Sequence, residues 1–96
     1  MEFPSIIHIG GRTITISLVD NLERDHNCRG IWIGSENKIN LERTLIKNVR
    51  GEILWHEIME AVTEIYGLKL KHKQIYVTAV AIHQILEDNK ELFNAG

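Results

Sequence analysis

The segment Leu54-Trp55-His56-Glu57-Ile58-Met59-Glu60-Ala61 carries an H-E-x-x-E pattern inside a strongly helical run. On an α-helix, residues four apart lie one above the other on a single face, so His56 and Glu60 can offer two ligand atoms to one ion. Zinc accepts this spacing. A carboxylate oxygen at about 2.0–2.2 Å takes the place of the histidine more usual at the second position and makes the site more anionic. Glu57, one position past His56, is placed to take a proton from a water held on such an ion.

A glutamate-rich helix face is ordinarily just a solvated face. The charges here argue against that reading, because Glu52, Glu57, Glu60 and Glu64 lie in a stretch with no Lys or Arg between Gly51 and Leu68. Glu60 and Glu64 are like charges at i, i+4, a repulsion of roughly a few tenths of a kcal/mol. With no cation of its own, this helix needs one from elsewhere. A divalent metal is one candidate.

The elements that must hold these residues follow from periodicity. Ile7, Ile9, Ile14, Ile16 and Leu18 alternate with polar residues around Gly10-Gly11, which predicts a hairpin with strands at about 5–9 and 12–19. A polar loop is expected from Asp20 to Arg29. Ile31-Trp32-Ile33 reads as a third strand, residues 34–37 as a turn, and Lys38 to Glu42 as a fourth strand. From about Arg43 the period becomes helical, with Leu54, Ile58, Ala61, Val62 and Ile65 on one stripe and Val49, Ile53, His56 and Glu60 on another. A helix apolar on two sides is expected to be sandwiched, with His56 and Glu60 away from its wettest face. Gly67 should end it. A second helix from about His72 to Asp88 should bury Ile75, Ala79, Ile82 and Leu86, flanked by His72 and His83, and Phe93 should pack one aromatic at the tail. The fold class is therefore α+β: a small, mainly antiparallel sheet packed on two helices.

Composition bounds the function. Ninety-six residues make a single domain, 1–96, and 44% hydrophobic with 25% charged is ordinary for a globular protein. A net charge of −2 argues against a nucleic-acid partner, and Lys69, Lys71 and Lys73 are too small a basic cluster to reverse that. No apolar run approaches the roughly 18 residues of a membrane span, and the N-terminus does not have the form of a signal peptide. One cysteine, Cys28, permits no internal disulfide, which predicts a cytoplasmic protein.

The order of these elements, with Ile39–Leu41 leading into the helix of Ile53-Leu54-Trp55-His56-Glu57-Ile58-Met59-Glu60-Ala61-Val62, resembles the minimal zincin core. More narrowly, residues 29–93 are similar to small zincin-like metallopeptidases of bacteriophages and prophages of Gram-positive bacteria. Gly67-Leu68-Lys69-Leu70-Lys71-His72 and Ile82-His83-Gln84-Ile85-Leu86-Glu87-Asp88-Asn89 contribute to that likeness. The resemblance implies one zinc ion, a peptide or protein substrate or partner, and an edge strand just before the metal helix where an extended peptide could pair. It also implies a third ligand on the following helix, usually a glutamate. No carboxylate lies between Glu64 and Glu87, so histidine must supply it: His72 first, His83 as the alternative. Either could instead be a helix-flank imidazole bonded to backbone.

The remaining residues carry weaker readings. His26 and Cys28 form an H-x-C pair in a loop, and Cys28 as nucleophile would need a base that spacing does not place. His8 should be solvated, the arginines are scattered, and Trp32 and Trp55 read as core or rim. The leading expectation is a zinc-dependent metallopeptidase-like protein with His56, Glu60 and His72 on the metal and Glu57 as general base. The competing expectation is a small binding module that keeps the fold, with a structural metal or none.

Overall fold

A computed structural model describes residues 5–94. Its first element is the expected hairpin: β1 (Ile6–Ile9) and β2 (Arg12–Val19) pair antiparallel in the register Ile9↔Arg12 to Ile6↔Thr15. Gly10 and Gly11 turn the chain with φ of +55° and +81°, the two positive values that a tight type I′ connection needs. Along β2, Ile14 and Ile16 point into the core while Thr13 and Thr15 face solvent.

The segment from Asp20 to Arg29 is not the plain loop its polarity suggests. It contains a one-turn helix, α1 (Leu22–His26), whose Leu22 is buried. The anchor is Glu42, which lies twenty residues further on. Its Oε1 accepts the Glu23 backbone N–H at 2.8 Å, and its Oε2 accepts the Thr44 hydroxyl at 3.2 Å. A polar stretch can hide one apolar anchor and a distant cap, and neither has a local periodicity.

β3 (Gly30–Ile33) and β4 (Lys38–Glu42) follow, completing a four-stranded sheet of order β1-β2-β4-β3. β4 runs antiparallel to β3 and parallel to β2, with Ile16↔Ile39 and Leu18↔Leu41 in register. The sheet is thus mostly antiparallel with one parallel pair, and the fold is α+β. The expected edge strand requires a correction. β4, the strand before the helix of His56 and Glu60, is interior, and the edge beside it is β3. The physical reason is burial: Ile39 and Leu41 are fully buried, and a strand contributing two such side chains gains most at the centre of the sheet.

α2 (Lys47–Ile65) starts four residues later than the periodicity suggests, because Arg43, in the turn after β4, is still tied to the end of β2. Its N–H donates to the Val19 carbonyl at 2.8 Å and its Nε to Asp20 Oδ1 at 2.9 Å. At the other end Leu68 N–H reaches the Thr63 carbonyl and Gly67 N–H the Glu64 carbonyl, the paired bonds of a Schellman stop. Leu54 and Ala61 join Ile14, Ile16, Ile39 and Leu41 in the core, with Trp32, Ile53, Ile58 and Ile65 packed around them.

α3 (His72–Asp88) covers a second side of α2. The sandwiched position expected of α2 is what the structure has. Ile75 and Ala79 are buried as expected, whereas Ile82 and Leu86 are only half-buried. Among the described residues no helix is long and apolar enough to cross a membrane. The packing expected of Phe93 falls on a side chain outside the described residues.

Candidate metal centre

Because Leu54 and Ala61 of α2 face the sheet, the positions about 100° to 200° round the helix from them open into a cleft. Its floor is Val49, Glu52, Ile53 and His56, its wall is Tyr76, Ala79 and Val80 of α3, and Arg29 closes the end next to β3. The cleft holds about 150 Å³.

The three expected ligands come together around His56, which also lines the cleft. His56 Nε2 lies 3.6 Å from Glu60 Oε1, and the His72 ring stands edge-on to the His56 ring with centroids 5.2 Å apart. One donor atom from each of His56, Glu60 and His72 falls within 4.8 Å of the other two. His72 owes its position to the start of α3. Gln74 Oε1 accepts the Lys71 backbone N–H at 2.8 Å, which fixes His72 as the first helical residue, over the last turns of α2.

Two imidazoles and a carboxylate are a donor set that zinc accepts, leaving a fourth position for water. Ligand atoms at about 2.0–2.1 Å around a tetrahedral ion sit about 3.4 Å from one another. The His56–Glu60 spacing is already close to this, and His72, exposed at a helix end, has the freedom to close the remainder. The residues present fit the ion.

The protonation states favour ligation. Burial lowers the His56 pKa, the neighbouring His72 lowers it further, and the Glu60 charge opposes them. The lowered pKa favours the neutral imidazole, the form whose ring nitrogen can bind a metal.

Glu57 is turned away from the trio and toward the sheet, only 8% exposed. Room for it comes from Gly30, where a Cβ would stand 2.6 Å from Ile53 Cγ2 and 3.2 Å from Glu57 Cγ. Burial, with the Glu60 charge adding, pushes the Glu57 carboxyl up to about 7, against the stabilising backbone N–H of Trp32. A carboxyl with that pKa can both take and release a proton at neutral pH.

The structure does not bring the other candidates to this site. His83 is buried 7% exposed against Gly51, where its ring fills the space of a missing Cβ, and its Nε2 is 3.1 Å from Asn48 Oδ1. Its partner is a side chain, not the backbone expected of a flanking imidazole. His26 is exposed and Cys28 half-buried, and burial with the Glu57 charge raises the Cys28 thiol, opposite to what a nucleophile needs. His8 is exposed and 3.3 Å from Thr13 Oγ1. Trp32 sits at the rim, with the Arg12 guanidinium 5.5 Å from its ring centre. Gly30, Arg29 and Tyr76 were not expected at the site. The only sequence signal for Gly30 was a glycine at the start of a strand, which can mark close backbone approach.

Comparison with protein-family models, with curated proteins and with solved structures finds no match to this chain.

Proposed function

We propose that this protein is a zinc-dependent metallopeptidase-like hydrolase of zincin type. The observation that carries the reading is the convergence of His56, Glu60 and His72 from two helices, with His56 also lining the cleft. When bound, zinc supplies a Lewis acid and brings the pKa of a coordinated water toward about 7. His56, Glu60 and His72 would hold the ion. Once turned toward the cleft, the Glu57 carboxylate would accept a proton from a water there and could return it to a leaving amine. An extended peptide pairs along β3, the edge strand on the Arg29 side of the cleft, and one of its side chains enters between Ile53 and Val80.

A second reading, a peptide-binding module whose metal is structural, is favoured by one observation. Glu57 is 8% exposed and turned to the Trp32 backbone, so proton transfer requires it to swing toward the cleft.

Native mass spectrometry of the purified protein tests the metal. The expected result is one zinc per chain, lost in His56→Ala and in His72→Ala, and retained in His83→Ala. Zinc retained by a His56→Ala, Glu60→Ala double variant would overturn the site. Catalysis is tested with the zinc-loaded protein on a degenerate peptide library. Glu57→Gln should keep the zinc and cut about 10²–10⁴ times more slowly than wild type. No cleavage by the zinc-loaded wild type selects the binding-module reading.

A further inference from the structure

The outer face of α3 carries three exposed apolar residues, with the exposed Gln74 and Gln84 beside them. Val77 and Ile85 are 53% and 50% exposed, and between them stands Ala81, also exposed. These three are spaced i, i+4, i+8 and form a shallow stripe with a small residue at its centre. Isolated exposed aliphatics are common on protein surfaces. A stripe with a small central residue is a shape that admits close approach of a second helix.

The charges on α3 say which helix. Its N-terminal end is basic, with Lys69 and Lys71 just before it and Lys73 in its first turn; its C-terminal end is acidic, with Glu87 and Asp88. The first turn has no acid and the last turn no base. This is the reverse of what the helix macrodipole favours, so each end carries charge that its own backbone opposes. Within the chain the compensation is slight. Among the described residues Lys73 and Asp88 make no ion pair, and Glu87 meets only the exposed Lys90, at 3.7 Å.

We propose that this face is a homodimer interface, in which two copies pair α3 antiparallel about a two-fold axis at Ala81. In that arrangement Ala81 faces Ala81 of the second copy, Val77 comes level with Ile85, and Lys73 comes level with Asp88 and Asn89. Each basic end then lies over an acidic end, and the backbone partial charges of the two helices oppose one another favourably. The metal cleft stays open, because Tyr76, Ala79 and Val80 line it from another side of α3. The inference does not depend on the metal reading.

A helix of 17 residues is about 25 Å long and covers less than the roughly 1,600 Å² of a standard interface, so the dimer is weak and concentration-dependent. Sedimentation equilibrium from micromolar to millimolar chain concentration tests it, with circular dichroism to show that each variant is folded. The weight-average mass of the wild type should climb toward twice that of the chain. Ala81→Glu, which sets two carboxylates against each other on the axis, should stay monomeric. Lys73→Glu should weaken association at least several-fold, and Lys73→Glu with Asp88→Lys should recover it. A wild type that stays monomeric at millimolar concentration overturns the proposal, as does Ala81→Glu that dimerises like wild type. A charge swap no better than its single variant overturns the antiparallel arrangement.

Discussion

Replacing Glu57 by Gln should reshape the pH dependence of stability, and the size of the effect follows from the burial of this one side chain. The folded carboxyl titrates at about 7, against 4.5 for the free group. Below 4.5 the group is protonated in both states and contributes nothing. Between 4.5 and 7 the unfolded chain releases its proton while the folded chain keeps it. Folding then becomes less favourable by up to about 1.4 kcal/mol per pH unit. Above 7 the penalty is constant. Multiplying the 2.5-unit difference by about 1.4 gives on the order of 3 kcal/mol, of the same size as the cost of burying other unpaired ionised groups.

Glutamine keeps the shape and can still accept the Trp32 N–H, but it has no proton to lose. Urea unfolding of the metal-free protein, held in chelator, therefore has a definite expected outcome. At pH 4 the wild type and Glu57→Gln should be within about 1 kcal/mol of each other. By pH 8 the variant should be the more stable by about 2–3 kcal/mol, with the gap opening between pH 5 and 7. Titrating groups that do not interact with Glu57 are common to both proteins and cancel in the difference. Two parallel profiles would refute the reasoning, since they would mean that Glu57 is not held in its protonated form by the fold.

Gly51→Ala should destabilise the protein despite its helix propensity. The gain of about 1 kcal/mol from alanine is outweighed by about 1–3 kcal/mol for forcing the His83 ring away and about 1 kcal/mol for its Asn48 bond. In a His83→Ala background the same substitution should turn neutral or stabilising by up to about 1 kcal/mol in urea titrations, and an unchanged sign would dismiss the packing account. Glu42→Gln should flatten the acid limb of the stability curve. The backbone N–H groups of Glu23, Thr44 and Leu22 hold the Glu42 carboxyl below its ordinary value. Its contribution is therefore present above about pH 4.5 and lost as the pH falls through the depressed value. Denaturant midpoints from pH 7 to 2 check this, and equal acid sensitivity in the two proteins would contradict it.

Much of the fold was legible because it is written in local periods. Alternation around Gly10-Gly11 gave the hairpin, and the spacing of Leu54, Ile58, Ala61 and Ile65 gave α2. His72 and Asp88 bound α3 as the sequence implied. What was not legible depends on distant partners. Leu22 is one apolar residue with no period, and it is helical because Glu42 caps its turn from the far end of β4. Strand order is likewise a matter of which strand buries more, so β4 took the interior that the resemblance had assigned to an edge.

The candidate site divides along the same line. His56, Glu57 and Glu60 are one helical turn, so their relative directions follow from 3.6 residues per turn alone. The choice between His72 and His83 could not be made that way, since both flank the same stripe of α3 and differ only in what α2 offers opposite them. Opposite His72 stand His56 and Glu60, a set of donors. Opposite His83 stand Gly51 and Asn48, a space the size of a ring with one oxygen at its edge. The same residue type thus becomes a ligand candidate at one end of the helix pair and a packed core group at the other. What decides between them is the partner helix, and Gly51, where the chain dispenses with a side chain, is the one local mark of that decision. A histidine packed into a glycine gap in this way fixes the rotation of α3 on α2, and that rotation is what brings His72 over His56 eleven residues earlier in the helix.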